Sequence, residues 1–123
     1  PSDVEPSTLV NIIGMGNNNG DTNLQLYGAD GSARARVDLG ASFPAQTSDV
    51  DVYETSFYCP PNASEIRYQL TRLNTGATTS GSVSGTSLPV STTFLAMQIW
   101  RSNGGTGTAV GIDMASWYLE TEY

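Results

Sequence analysis

The stretch that decides the fold is LQLYGADGSARARVDL, residues 24–39. Apolar and polar side chains alternate along both of its halves, which is the period of a β-strand with one buried face. Asp30-Gly31 stands between the halves, and an Asp-Gly pair accommodates the positive φ that tight hairpin turns require. The sequence therefore predicts a β-hairpin over Leu24–Leu39.

The rest of the chain repeats short alternating or apolar segments separated by Gly, Pro, Asn and Ser, with no helical spacing of useful length. Further strands are predicted at Leu9–Met15, Val50–Cys59, Ile66–Thr71 (with a solvated face), a thin Ser/Thr hairpin within Asn74–Thr93 around Val83, Phe94–Arg101 and Ala109–Thr121. Phe94–Arg101 is apolar on both faces, which predicts a central strand covered on both sides. Together these segments predict an all-β protein, an antiparallel β-sandwich or jelly roll of lectin-like type with about eight strands.

The length and composition indicate how the chain is organised. A chain of 123 residues is enough for one domain. Residues 1–8 are rich in Pro, Ser and acids, so we expect a linker from a preceding domain, followed by a single β-sandwich domain over residues 9–123. No stretch approaches the roughly 18 apolar residues that span a bilayer, so we expect no membrane insertion.

Charge and residue usage exclude several classes of function. Five basic residues, all Arg, stand against twelve acidic ones, for a net charge of −7, and His is absent. Without His there is no Ser-His-Asp or Cys-His machinery, and one Cys without His argues against a zinc site. The excess of negative charge argues against a nucleic acid partner, whose phosphates require Lys and Arg. We therefore expect no cofactor and no metal.

The acidic residues are candidates for glycoside hydrolysis and for calcium binding, and neither is the preferred interpretation. A glycosidase needs two carboxylates about 5–9 Å apart across a cleft, and the candidates are Asp38, Asp49, Asp51, Glu54 and Asp113. A solvated or structural role is the preferred interpretation, with Asp113 buried beside an arginine, either Arg67, Arg72 or Arg101. Asn17–Asn23 offers oxygen ligands at alternate positions but only one carboxylate, so it is interpreted as a polar turn rather than a calcium loop.

Aromatic residues near the carboxyl terminus are the candidate binding groups. Trp100, Arg101 and Asn103 bring an aromatic ring, a cation and an amide to the end of a predicted strand, a combination suited to glycan contact. Trp117, Tyr118 and Leu119 lie in a predicted strand that is apolar on both faces, so a second copy of the chain is expected to cover one face. Cys59 cannot form an internal disulfide and is expected to pack as a small buried hydrophobe.

Three segments, Val37–Ala45, Phe94–Thr106 and Ala109–Tyr123, resemble segments of bacteriophage tail spikes and tail fibres. The last is similar to the closing strand of the C-terminal β-sandwich modules of such proteins. The resemblance implies a trimeric virion protein at the tip of a tail appendage, extracellular when it acts. It also implies that the module trimerises and recognises host surface polysaccharide, while any depolymerase activity belongs to an elongated body that precedes it.

The leading hypothesis is therefore a non-enzymatic module that forms a homotrimer and contacts host polysaccharide. Two alternatives share the same fold class. One is a small glycoside-cleaving domain, which requires two carboxylates converging in a groove. The other is a capsid decoration or adhesin domain that binds protein.

Overall fold

The computed structural model describes residues 4–32, 34–45, 50–101, 107 and 111–120. Its strands form two antiparallel three-stranded sheets, in the orders β1-β2-β3 and β4-β5-β6. The strands are β1 (Ile12–Gly16), β2 (Gln25–Ala29), β3 (Arg34–Asp38), β4 (Tyr53–Tyr58), β5 (Glu65–Arg72) and β6 (Ala77–Ser84), with short 3₁₀ turns at Pro6–Thr8 and Gly85–Ser87. The all-β prediction is confirmed, although the described residues contain six strands rather than about eight.

The predicted hairpin over residues 24–39 is present as β2 and β3. The two strands pair antiparallel, with Leu26 opposite Val37. At the turn, Gly31 has a φ of 141°, a conformation that side chains rarely adopt. The Oδ1 atom of Asp30 accepts a hydrogen bond from the backbone N–H of Ser32 at 2.7 Å. Local turn chemistry therefore sets the register of this hairpin.

The first strand begins later than the sequence predicts. Strand β1 pairs with β2 from Ile12, opposite Ala29, and not from Leu9. Asn11 has a φ of 54°, in the left-handed region that Asn tolerates better than most residues. The extended backbone is therefore interrupted immediately before Ile12.

In the second sheet, β5 is the central strand. The thin hairpin predicted within Asn74–Thr93 is wrong, because this hydroxyl-rich segment forms a single strand, β6, which pairs with β5. The solvated face of β5 is as predicted, since Arg67 and Gln69 are exposed whereas Leu70 is fully buried. Strand β6 pairs with β5 along its whole length. Its single large apolar side chain, Val83, is buried. One apolar residue thus fixes the face that β6 turns to the core.

Both sheets contribute side chains to one hydrophobic cluster. Its buried members are Leu26, Leu39, Phe43, Leu70 and Val83. A polar contact ties the same region together, because the Tyr53 hydroxyl donates to the carbonyl of Pro44 at 2.8 Å. Burial of a Leu or Phe side chain is worth about 1.5–3 kcal/mol, so this cluster is the main stabilising feature of the two sheets.

The amino-terminal segment makes side-chain hydrogen bonds to the first sheet and its loops. The Arg34 guanidinium donates to the carbonyl of Ser7 at 2.7 Å. The Asn18 side-chain amide donates to the Ser7 hydroxyl at 2.6 Å, and the Asn19 N–H donates to Glu5 at 2.8 Å. Residues 1–3 lie outside the described part of the chain. The described part of the predicted linker over residues 1–8 is therefore anchored to the sheet region.

Contacts divide the chain into two units, and all six strands lie in Val4–Leu95. The other unit contains Ala96–Tyr123. The strands predicted at Phe94–Arg101 and Ala109–Thr121 are wrong for the described residues, which form no strand and are exposed apart from the half-buried Trp100. Their alternating pattern has no described strand partner, so it does not produce a ladder.

The predicted burial of Cys59 is also wrong, because this free thiol is exposed. Cys59 follows Tyr58, the last residue of β4, and β4 is an outer strand of its sheet. A residue beyond the paired end of an outer strand has no neighbouring strand to cover it. Pro60 follows directly and ends the strand, but it does not bury the Cys59 sulfur.

Candidate functional site

The candidate site lies in the carboxy-terminal unit, where residues 99–101 and 111–114 line one cavity. The Arg101 guanidinium donates to the carbonyl of Gly111 at 3.1 Å, which joins residues 99–101 to residues 111–114. A shallow cavity of about 300 Å³ opens at this contact, and its lining residues are Ile99, Trp100, Arg101, Gly111, Ile112 and Met114.

Apolar side chains in this unit are widely exposed. Their exposed fractions lie between 47% and 83%, and the residues are Met97, Ile99, Ile112, Met114, Trp117, Tyr118 and Leu119. Soluble monomers rarely present contiguous apolar patches larger than a few hundred Å², and larger patches mark contact surfaces. The unit therefore offers an apolar surface that is suited to burial against a partner.

The glycan-binding prediction rested on Trp100, Arg101 and Asn103. The structure brings Trp100 and Arg101 to the same cavity, with Trp100 half-buried and Arg101 exposed. Asn103 lies outside the described residues. An indole ring offers an apolar face and a donor at one end, and a guanidinium offers a planar fork of donors. The two residues together are able to stack on a sugar ring and to donate hydrogen bonds to its hydroxyls.

The oligomer-interface prediction rested on Trp117, Tyr118 and Leu119. All three are exposed, at 61%, 83% and 66% respectively. The Tyr118 hydroxyl donates to Oε2 of Glu120 at 2.7 Å. This hydrogen bond to a carboxylate raises the pKa of Tyr118, since it stabilises the protonated phenol. More than half of each of these three residues is therefore exposed in the described chain.

The carboxylates that a glycosidase would need are held in separate contacts. Asp38 Oδ1 accepts from the Gly40 N–H at 2.7 Å and from the Asn23 side chain at 3.0 Å. Donation by the Gly40 N–H is the main cause that lowers the pKa of Asp38, followed by the side chains of Gln25 and Asn23.

Asp51 is the buried acid of this group, with its side chain 1% exposed. It pairs with Arg72 at 2.6 Å and accepts from the Asn74 amide at 2.8 Å. The register explains the pair, because Arg72 lies opposite Tyr53 at the start of β4, two residues after Asp51.

The remaining acids do not complete a catalytic pair in the described residues. Glu54 is exposed on β4, and Asp113 is exposed in the carboxy-terminal unit. The expectation that an arginine buries Asp113 is therefore wrong. Asp49 lies outside the described residues.

The polar loop Asn17–Asn23 is built around Asp21. The Arg36 guanidinium pairs with Asp21, and Oδ2 of Asp21 accepts from the Asn18 N–H at 2.8 Å. The Tyr27 hydroxyl donates to Asn18 at 3.1 Å, and burial raises the pKa of Tyr27. The sequence did not lead us to predict this network. The feature that could have indicated it is the alternation along β2 and β3, which places Arg36 and Tyr27 opposite each other. Across the described ranges, no three acidic or sulfur side chains are grouped to hold a metal ion.

Comparison with protein families, with curated proteins and with solved structures gave no match. None of the helical segments in the described residues is long and apolar enough to cross a membrane.

Proposed function

We propose that this chain is a non-enzymatic module that forms a homotrimer at the carboxy-terminal end of a bacteriophage tail spike or tail fibre. The observation that carries the proposal is the exposure of alternating apolar side chains in residues 111–120, including Trp117 and Leu119. Burying such side chains is worth about 1.5–3 kcal/mol each. Association with sister copies supplies that burial.

Two further observations support this proposal. The acids Asp38 and Asp51 accept hydrogen bonds from other residues of the chain, which favours structural roles over catalysis. The tail-protein resemblance covers Phe94–Thr106 and Ala109–Tyr123, whose described residues are exposed apart from the half-buried Trp100. In this proposal the two segments become the remaining strands of a sandwich of about eight strands when copies associate. The module then acts outside the host cell, as part of the virion.

Sedimentation equilibrium of the full chain at tens of micromolar tests the trimer. We expect a mass of three chains, and a monomer would contradict the proposal. Leu119→Asp places a charge in the apolar surface and is expected to shift the equilibrium toward monomer, because an unpaired charge is costly to bury. The matched control is Leu73→Asp, at an exposed leucine in the turn between β5 and β6. Equal dissociation by both variants would count against an interface at Leu119.

The proposal includes contact with host surface polysaccharide through Trp100 and Arg101. These residues share one cavity, and the bond to Gly111 orients the guanidinium. Titration of the chain with polysaccharide purified from host cells is expected to quench Trp fluorescence. Trp100→Ala is expected to abolish the binding heat in a calorimetric titration, whereas Tyr58→Ala, at an exposed aromatic residue outside this cavity, controls for the loss of one ring. If the Trp100→Ala variant still binds the polysaccharide, the polysaccharide is recognised at another surface of the chain.

A further inference from the structure

Strand β6 leaves one side of the second sheet open. It is the outermost strand in the order β4-β5-β6, and it pairs with β5 over Ala77–Ser84. Among the described residues, no backbone hydrogen bond joins the opposite side of β6. In an antiparallel ladder, alternate residues turn their N–H and C=O groups away from the neighbouring strand. A row of unpaired backbone groups therefore runs along the outer side of β6.

This edge lacks the features that normally protect an outer strand. Natural edges carry charges, prolines or bulges that discourage pairing with another chain. Strand β3 carries Arg34, Arg36 and Asp38, and β4 carries Glu54. Strand β6 has neither a charged residue nor a proline in its eight residues. Strand β1, the fourth outer strand, also has no charged residue and no proline, but it has five residues against eight in β6. Strand β6 is therefore the longest unprotected edge.

The segment Phe94–Trp100 has the properties of a strand without a partner. It contains no charged residue, and Leu95, Met97 and Ile99 alternate along it with exposed fractions of 50–56%. Within the described residues of the carboxy-terminal unit, no backbone–backbone hydrogen bond is formed. Such a segment is suited to add to the open edge of a sheet.

Charge indicates that the partner is a second copy of this chain. Each copy carries a net charge of −7, so copies repel one another except where their contact surfaces are uncharged. Between residues 73 and 112 the only charged residue is Arg101. This charge-poor part of the sequence contains both β6 and Phe94–Trp100, so every copy has an uncharged edge and an uncharged strand to offer.

We propose that Phe94–Trp100 of one copy adds as a strand to the β6 edge of the next copy. This inference rests on the proposed trimer and specifies how its subunits are joined. The contact is heterologous, since one surface meets a different surface, and such contacts close into rings when the rotation allows. Three copies then each donate one strand and accept one.

A lysine on the inner face of β6 tests the edge. Thr79 lies opposite Leu70 on β5, and Thr55 of β4 lies opposite the same Leu70 from the other side. Thr79→Lys places an inward-pointing charge at the β6 edge, where an added strand would bury it. Thr55→Lys makes the same change at the β4 edge. Each variant also lowers the magnitude of the net charge, so general repulsion cannot explain a loss of association.

Sedimentation equilibrium of the full chain is expected to give a trimer for the wild type and for Thr55→Lys, and a monomer for Thr79→Lys. Circular dichroism checks that each variant keeps its strands. A trimeric Thr79→Lys, or dissociation by both variants, would overturn pairing at β6 and leave trimerisation standing. A monomeric wild type would instead overturn the proposed function.

Cross-linking keeps the inference testable if Thr79→Lys does not fold. In a Cys59→Ser background, one sample of the chain carries Gln98→Cys and a second carries a cysteine on the outer face of β6, at Thr78, Ser80 or Ser82 in turn. After the two samples are mixed and oxidised, we expect a covalent product that contains one chain of each kind. If none of the three β6 positions forms that product, the pairing is wrong.

Discussion

The two units differ in what happens to similar side chains. In Val4–Leu95, Leu26 and Leu70 are completely buried. In the carboxy-terminal unit, Leu119 is 66% exposed although it follows the apolar residues Trp117 and Tyr118. The difference teaches that a period of two predicts the tendency to form a strand, whereas burial depends on whether a second sheet is available to pack against.

Turn chemistry explains why the first unit closes on itself. The Asp30-Gly31 turn and the left-handed Gly76, with a φ of 76°, bring successive strands together over a few residues. Short loops lose little conformational entropy on closure. The segments Phe94–Arg101 and Ala109–Thr121 are joined by a longer Gly-rich stretch, and their described residues contain no comparable hairpin ladder. The described residues of the carboxy-terminal unit therefore have no ladder of backbone hydrogen bonds to stabilise them.

The largest expected effect separates the two units directly. Leu70→Ala removes a fully buried side chain and is expected to lower the free energy of unfolding by about 2–5 kcal/mol, because it leaves a cavity. Leu119→Ala is expected to have an effect that shrinks as the protein is diluted, since in the proposed trimer the burial of Leu119 depends on association. Urea unfolding at several protein concentrations measures both. An equally large, concentration-independent effect at Leu119 would place it in the core of a single chain.

The parts of the fold that the sequence predicts are those decided by neighbouring residues. The hairpin over Leu24–Leu39 could be predicted because the turn and the alternation are both local. The partner of an isolated strand is not encoded nearby, so the same reasoning failed at Phe94–Arg101. Exposure of Cys59 was missed for a related reason, since only the sheet order shows that β4 is an outer strand.

The sequence predicted which residue types form the candidate site, but not which residues their side chains contact. Trp100 and Arg101 were identified from an aromatic and a cation beside a Gly-rich loop. One of Arg67, Arg72 and Arg101 was expected to be the partner of Asp113. Instead Arg72 pairs with Asp51 and Arg67 pairs with Glu65, since strand register sets which side chains meet. Arg101 bonds to the Gly111 carbonyl, a backbone partner that no charge pattern indicates.

Gly28 in the first unit and Gly111 in the carboxy-terminal unit differ in the space around their Cα atoms. A Cβ atom at Gly28 would lie 2.8 Å from the Ser87 carbonyl oxygen and 3.1 Å from Val83 Cγ1. Gly28→Ala is therefore expected to lower the free energy of unfolding by about 1–3 kcal/mol, because the carbonyl belongs to the backbone and has little freedom to move. At Gly111 no atom lies within 4 Å, so Gly111→Ala is expected to be close to neutral. Thermal unfolding of both variants measures the contrast, and a neutral Gly28→Ala would contradict close packing of β2 against the turn after β6.

The smallest expected effect depends on pH and concerns a single carboxylate of the first unit. The Gly40 N–H holds the pKa of Asp38 below its usual value, so folding favours the ionised form. The resulting stabilisation is complete above the unfolded pKa of about 3.9 and is lost as the pH falls through the folded pKa. Asp38→Asn should therefore unfold at a lower temperature than the wild type at pH 7, and the two should converge as the pH falls below the folded pKa of Asp38. Asp113→Asn, in the other unit, removes the same charge and controls for net charge. The alternative outcome is a difference in unfolding temperature between Asp38→Asn and the wild type that persists unchanged in acid. Such a difference would not come from the charge of Asp38. Since Asn keeps an acceptor oxygen, it would come from the shape of the side chain.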